Sequence, residues 1–328
     1  MELLGIHHVS ALTADAPGNV RFYTRTLGLR LVKKTVNQDD VTSYHLFYGD
    51  ERGRPGTELT FFDIPHLAPD RPGTHSISSV GLRVPDRRAL DYWRERFERL
   101  GVEHDEPQPR AGRLTLAFRD FEGQRLVLTA EDGEAGVPGG RPWERSPVPA
   151  EFGIRGLGPV TITVREAEPS VRVLTEVLGF RPAGRYEAPG GGEVLVYATG
   201  AGGPGAEVHV EERPDLPPER QGKGGVHHVA FRVPDAEEHA AWLERLEGRG
   251  FRTSGIVERF YFRSIYFREP NGILYELATD GPGFEADEDF EHLGERLALP
   301  PYLEPYRATI EAHLRPLDTR ALAGLEER

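Results

Sequence analysis

Residues 80–101 read "VGLRVPDRRALDYWRERFERLG", and residues 229–250 read "VAFRVPDAEEHAAWLERLEGRG". Both follow one pattern: V-x-x-R-V-P-D, six residues, Trp, seven residues, Gly. A second pair tells the same story. "VRFYTRTLGLR" (20–30) and "VRVLTEVLGFR" (171–181) share V-R-x-x-T-x-x-L-G-x-R. The offsets, 149 and 151 residues, agree closely enough to make the chain an internal repeat. The related halves are about 1–132 and 153–281.

Each half divides again. An apolar strand such as "HHVSALTA" is followed by an amphipathic helix that stops at a glycine: Gly28, Gly101, Gly179 or Gly250. Two or three strands come next, for example "SYHLFYGD" with "TELTFFDIP", or "RSIYFREP" with "ILYELATD". The Asn-Gly of "EPNGILYEL" is a hairpin signal. Each quarter therefore reads β-α-β-β-β, and the fold class is α+β. The four units are 1–65, 74–132, 153–213 and 222–281. Residues 133–152, "GEAGVPGGRPWERSPVPAEF", form a Pro- and Gly-rich linker. Residues 282–328 form an extension ending in the helical "YLEPYRATIEAHL", expected to pack back as an arm or lid.

Composition narrows the function. The 328-residue chain carries a formal net charge of −13, which argues against a broad basic surface for nucleic acid. No apolar run reaches the roughly 20 residues of a membrane helix. The start, "MELLGIHHV", shows no basic-then-apolar leader, and there are no cysteines. A cytoplasmic location is the expectation. The missing cysteines also exclude disulfides, thiolate ligands and a cysteine nucleophile.

The repeat locates the chemistry. "GIHHVSAL" (5–12) and "GVHHVAFRV" (225–233) each open a strand with His-His-Val. Across the repeat, the position of His8 and His228 becomes Pro159 and Ser79 in the middle units. Side chains alternate along a strand. His7 and His8 should therefore face opposite ways, as should His227 and His228, with one member of each pair in a shared cavity. Glu276 lies inside the apolar strand "NGILYELATD", where a carboxylate is costly unless paired or bound to a metal. The matching strand of the first unit offers Thr60 or Leu59, with Glu58 nearby. Two histidines and one carboxylate make the set used by non-haem Fe(II) oxygenases. For these residues to meet, the first unit must pair with the fourth and the second with the third. The second cavity would then hold Ser79, Pro159, Val127 and His209, too few ligands for a metal.

The chain resembles the vicinal oxygen chelate superfamily of glyoxalase I, bleomycin-resistance proteins and extradiol dioxygenases. The β-α-β-β-β unit, the "HHV" strand start and the "NGILYEL" ending carry that resemblance. Within it, "GIHHVSALTADAPGNVRFYTRTLGLRLVKKTVNQDD", "YHLFYGD", "GTELTFFDIP", "ERFYFRSIYFREPNGILYELATD" and "LPPYLEPYRATIEAHL" are similar to ring-cleaving dioxygenases acting on hydroquinones. The resemblance spans essentially the whole chain. It implies metal ligands at His8, His228 and Glu276, with His7 and His227 behind them or on the other face. It also implies an Arg and a Tyr near the metal, matching Arg259 and Tyr266.

The implied activity is Fe(II)-dependent insertion of O2 into a hydroquinone- or catechol-like aromatic diol, with Mn(II) as the other candidate metal. Such chemistry needs an acid/base. Tyr266 is the first candidate. His45 is the second, because "SYHLFYG" sets it where "RSIYFRE" sets Tyr266. Arg259 could stabilise an aryl-oxide or orient Tyr266. Two alternatives stand beside this. One is a glyoxalase-type isomerase using Zn or Ni, which wants a fourth protein ligand. The other is a non-catalytic protein that sequesters quinones or drugs. The resemblance is also compatible with a homodimer.

Overall fold

A computed structural model of the chain describes residues 1–324; residues 325–328 of the expected 282–328 extension lie outside the described residues. Four strand–helix–three-strand modules follow one another. The first contains β1 (Ile6–Thr13), α1 (Ala16–Arg21), β2 (Arg30–Asn37), β3 (Asp40–Gly49) and β4 (Glu58–Asp63). The second contains β5 (Ser76–Val84), α2 (Arg87–Leu100), β6 (Gln108–Arg110), β7 (Arg113–Arg119) and β8 (Arg125–Ala130). The third contains β9 (Gly156–Val164), α3 (Ala167–Arg172), β10 (Arg181–Glu187), β11 (Glu193–Ala198) and β12 (Glu207–Glu212). The fourth contains β13 (Val226–Val233), α4 (Ala236–Gly248), β14 (Val257–Glu258), β15 (Arg263–Arg268) and β16 (Leu274–Thr279).

The repeated motifs play the same structural part in each copy. In V-R-x-x-T, the Thr hydroxyl donates back to the carbonyl four residues earlier: Thr24 to Val20 at 2.6 Å and Thr175 to Val171 at 2.8 Å. Such back-bonding loosens a helix. Both α1 and α3 accordingly widen into a π-turn, over Phe22–Thr26 and Val173–Val177. The sequence pattern by itself reads as one ordinary helix there. In V-x-x-R-V-P-D, the Asp caps the next helix: Asp86 accepts from the Ala89 amide and Asp235 from the Glu237 and Glu238 amides. The motif's Trp93 and Trp242 are fully buried beneath those helices. Its Arg is also structural. Arg83 donates to the Val137 and Pro138 carbonyls, and Arg232 forms a two-pronged pair with Asp280. Helix α2 ends at Gly101, which adopts φ 68°, as a C-terminal glycine does. Helix α4 ends two residues before the expected Gly250, with Arg249 as its cap.

Two eight-stranded mixed sheets result, in the orders β14-β15-β16-β13-β1-β4-β3-β2 and β10-β11-β12-β9-β5-β8-β7-β6. Neither sheet follows a half of the chain. The first joins modules one and four through antiparallel β1 and β13; the second joins modules two and three through antiparallel β5 and β9. Residues 133–152 lie against the body: Val137 and Val148 are buried, and the Ser146 hydroxyl donates to Gly28 O.

The residues after β16 wrap around the first module. Phe284 and Leu293 pack with Val32, Phe47, Tyr261 and Phe262. Lys33 is buried and paired with Asp287 (2.7 Å) and Glu288. Farther on, Arg315 pairs with Asp63, and Tyr44 donates to Arg315 O. Within "YLEPYRATIEAHL" the helix α5 covers only Arg307–His313, preceded by a 3-10 turn containing Pro305. A last short helix, α6, runs from Thr319 to Ala323. No helix among the described residues is long and apolar enough to cross a membrane.

Candidate metal centre

The centre forms where β1 and β13 pair. Their register is symmetric about Val9 and Val229 and contains two irregularities. Ile6 faces Phe231 and His8 faces Ala230, leaving His7 as an extra residue. Ser10 faces His228 and Ala11 faces Val226, leaving His227 as the extra residue. A bulge of this kind breaks the simple alternation of side chains. The expectation that each pair splits cleanly between two faces is thereby corrected. The Nδ1 atoms of His7 and His8 lie 3.0 Å apart, and those of His227 and His228 lie 2.7 Å apart. Both His7 and His8 rings also sit 5.2 Å from the Phe262 ring. Even so, His8 and His228 line the cavity, whereas His7 and His227 stand behind them.

The parallel register of β13 with β16 sets Glu276 beside Ala230, bringing its carboxylate to the same point. His8 Nε2 is 3.1 Å from Glu276 Oε2, His228 Nε2 is 2.8 Å from it, and the two Nε2 atoms are 3.3 Å apart. All three residues are buried. Burial alone would raise the Glu276 pKa, but His8 and His228 outweigh it and hold the carboxyl well below its ordinary range.

Proton bookkeeping then decides what these atoms can hold. The Thr279 carbonyl, 3.1 Å from His7 Nε2, can only accept, so His7 carries its proton there. Burial and the neighbouring His8 keep His7 neutral, leaving its Nδ1 as an acceptor for the proton on His8 Nδ1. With Nδ1 turned to His7, the His8 ring directs Nε2 toward Glu276 and His228. His228 Nδ1 likewise meets His227 Nδ1 at 2.7 Å, and its Nε2 is turned toward Glu276. Two imidazole nitrogens and a carboxylate oxygen thus converge on one buried point, an arrangement that suits a divalent cation. Ligands held about 2.1 Å from one ion at right angles lie about 3.0 Å apart, and the three separations straddle that value. His7, His8 and Glu58 also bring donor atoms close together. There, however, the two Nδ1 atoms are occupied with each other. Burial, then the charges of Asp50, Asp280 and Glu276, push the Glu58 carboxyl well above its ordinary pKa.

Register also resolves the strand position left open by sequence. Ser10 faces Thr60 as Ala230 faces Glu276, so Thr60 stands where the first module would carry a fourth ligand. Its hydroxyl is tied to Ser10 Oγ at 2.7 Å and to His45 Nε2 at 2.9 Å. A second correction concerns His45. Tyr266 faces Glu276, whereas the residue facing Thr60 is Phe47, so Phe47 occupies the Tyr266 position. His45 lies two residues earlier on the same face, which still brings it to the cavity.

The cavity holds about 430 Å³ of empty space. Phe47, Phe62, Tyr261, Phe262 and Tyr266 make its walls aromatic. The Tyr266 ring meets His228 edge-on at 5.7 Å, and its hydroxyl accepts from Arg259 Nε at 3.3 Å. Burial, then the negative Glu276, push the Tyr266 pKa up. Burial, then His8 and His228, push His45 well below its ordinary value. Arg259 is anchored by Asp39 at 3.1 and 2.8 Å. Gln38 donates to the Arg259 carbonyl at 2.8 Å and accepts from the Tyr302 hydroxyl at 2.8 Å. Sequence reasoning missed Gln38, Asp39 and Tyr302. The polar "NQDD" reads as an ordinary turn, and nothing local says that the far arm closes over it.

The other sheet carries a counterpart. Ser79, Pro159, Val127 and His209 do line one cavity. Register sets Val127 beside Gly81 and His209 beside Thr161, the two positions that correspond to Glu276. His209 bonds to Glu207 at 3.1 Å and to the Tyr186 hydroxyl at 3.1 Å.

The Glyoxalase/Bleomycin resistance protein/Dioxygenase superfamily model matches residues 5–128 and 156–277. The chain is 59% identical over 317 residues to "Putative ring-cleaving dioxygenase MhqA" of Bacillus subtilis (strain 168), covering 97% of this chain and 100% of the relative. It is 33% identical over 308 residues to the chlorohydroquinone/hydroquinone 1,2-dioxygenase of Sphingobium indicum, covering 92% of each. A crystal structure from B. subtilis subsp. subtilis str. 168 superposes with a TM-score of 0.89 at 33% identity, over 97% of this chain and 99% of that one.

Proposed function

Because the chain belongs to the Glyoxalase/Bleomycin resistance protein/Dioxygenase superfamily, we propose that it is a ring-cleaving dioxygenase that uses Fe(II) to insert O2 into a hydroquinone- or catechol-like ring. The observation that carries this reading is the buried set His8, His228 and Glu276, with Thr60 rather than a fourth carboxylate opposite. Three ligands on one face leave positions free for other molecules, whereas an isomerase of the glyoxalase type wants a fourth. The aromatic walls and the relative named for hydroquinone support the substrate class.

When bound, Fe(II) supplies the redox chemistry that O2 insertion needs, with open positions beside the three ligands. The protein's own part is positioning and proton transfer. Phe47, Phe62 and Phe262 hold the flat ring and exclude water. His45, neutral at physiological pH, takes the phenolic proton; Thr60 holds its ring in place through Nε2. Tyr266 keeps its proton and donates it as the ring opens. Burial and the neighbouring Glu276 charge keep the proton on the Tyr266 hydroxyl until then. Arg259 fixes the Tyr266 hydroxyl and favours negative charge on the substrate oxygen.

The test is oxygen consumption by protein purified without air and loaded with Fe(II), using hydroquinone and catechols. One O2 consumed per ring opened supports the reading. No uptake with any diol, together with hemithioacetal turnover by the Zn- or Ni-loaded protein, would replace it with the isomerase. Saturable quinone binding without either reaction would replace it with a sequestering protein.

A further inference from the structure

We infer that Thr35 and Asn37 are specificity-determining residues of the metal cavity, reading the ring oxygen that lies farthest from the metal ligands. Their role rests on the aromatic-diol reading of that cavity and adds what tells one diol from another.

The sheet order shows where the two residues stand. His8, His228 and Glu276 lie on the adjoining strands β1, β13 and β16, whereas β2 forms the edge beyond β4 and β3. At about 4.8 Å per strand, β2 is about 14 Å from β1 along the sheet. The sheet is rolled, however. Asp39, in the turn after β2, meets Arg259, next to β14 at the opposite edge, at 2.8 Å. The cavity is therefore the inside of a curve, with the metal ligands at its base and β2 on one wall. Thr35 and Asn37, two residues apart on β2, both line it. Thr35 pairs in register with His45, so the two stand side by side.

Both residues offer unused polar atoms. Thr35 is 1% exposed, and its hydroxyl has no partner among the described residues. The neighbouring Tyr261 hydroxyl gives its own proton to Asp287 at 2.9 Å. A Thr35 proton turned toward that oxygen still leaves the Thr35 lone pairs free. Asn37 Oδ1 accepts from the Asp39 amide at 3.0 Å, which makes Nδ2 its free end. A ring hydroxyl at this wall donates to Thr35 and accepts from Asn37. The aromatic walls, Phe47, Phe62 and Phe262, grip the flat ring but cannot tell its oxygens apart. In a para-diol the second oxygen lies across the ring, away from the metal ligands. In a catechol it stays on their side. A buried hydroxyl left without a partner is costly, so a site built around one rejects the analogue that fails to supply the bond.

Hydroquinone and phenol differ only in the far hydroxyl. Binding of each is measured by calorimetry, without air, on Fe(II)-loaded protein. The wild type should hold hydroquinone at least about tenfold more tightly than phenol. Thr35→Val keeps the shape and removes the hydroxyl. Asn37→Asp keeps the bond to the Asp39 amide and removes the donor. Each should cut the hydroquinone-to-phenol ratio by about fivefold, the value of one neutral hydrogen bond. Phenol affinity and metal content should stay at the wild-type level, and catechol affinity should not move in Thr35→Val. Equal affinity for hydroquinone and phenol in the wild type, or no saturable hydroquinone binding, overturns the inference. So does a ratio that survives either substitution. An equal loss of both ligands assigns the residues a purely structural part and also overturns it. No O2 enters these titrations, so the two readings fail separately. O2 uptake with hydroquinone beside an unchanged ratio in the variants removes only the role of Thr35 and Asn37. An intact, Thr35-dependent preference in a protein that consumes no O2 removes only the dioxygenase activity.

Discussion

Replacing His7 by Leu should weaken metal binding without removing a ligand. His7 accepts the proton of His8 Nδ1 at 3.0 Å and is itself anchored to the Thr279 carbonyl at 3.1 Å. Leu fills much of the same volume but can neither accept nor donate. The His8 ring then loses the bond that fixes its tautomer and direction, and a buried N–H is left unpaired. An outer partner of a metal-bound imidazole is worth about 10–100-fold in affinity, or about 1.4–2.8 kcal/mol. His7 should fall near the upper end, because it is 1% exposed and tied to the backbone. His227 is only part-buried, so His227→Leu should fall near the lower end. Competition with a chromophoric chelator at neutral pH measures both constants. A His7→Leu protein with native circular dichroism and an affinity within about twofold of wild type would refute the proton order from Thr279 through His7 to His8.

Three further outcomes follow from other parts of the molecule. Thr60→Glu adds a carboxylate at the register of Glu276 and should raise Zn(II) or Ni(II) affinity by about tenfold or more while abolishing O2 uptake; unchanged affinity would show that position 60 does not reach the ion. Lys33→Ala leaves the Glu288 and Asp287 carboxylates without their buried partner. A loss of about 3–5 kcal/mol is expected in urea denaturation, and a loss below about 1 kcal/mol would mean that the arm is held by its apolar contacts alone. Asp120 is raised to about 6 by burial, against the opposing bonds from Gln124, Glu122 and Tyr23. Its folded pKa lies above the unfolded value, so its contribution is complete below pH of about 4 and fades as pH rises through about 6. Wild-type stability should therefore fall relative to Asp120→Asn over that window, by about 3 kcal/mol at most; parallel pH curves would contradict the assignment.

The sequence and the structure agree where the repeat is strong and part where register matters. The motif V-x-x-R-V-P-D marks a strand end, a cap and a buried Trp, all local consequences of residue type. The comparison of His8 and His228 with Pro159 and Ser79 needs only an ungapped offset, because those residues lie close to the motifs. Thr60 cannot be told from Leu59 by sequence, since a shift of one residue swaps the face of a strand and only the pairing of Ser10 with Thr60 decides it. His45 and Phe47 share a face, and only the pairing of Phe47 with Thr60 shows which of them matches Tyr266. The bulges at His7 and His227 are also out of reach. A bulge is a property of two paired strands, and each His-His-Val alone predicts plain alternation. The clamp of Asp39 on Arg259 joins residues 220 positions apart, with no local signal at either end.

The proposed Fe(II) centre is a single site among four related modules, held by His8, His228 and Glu276. Its test is the metal content per chain, measured on protein loaded with Fe(II) without air and freed of excess ion. One equivalent is expected in the wild type and close to none in a folded Glu276→Ala variant. A full equivalent retained by Glu276→Ala, or two equivalents in the wild type, would contradict it.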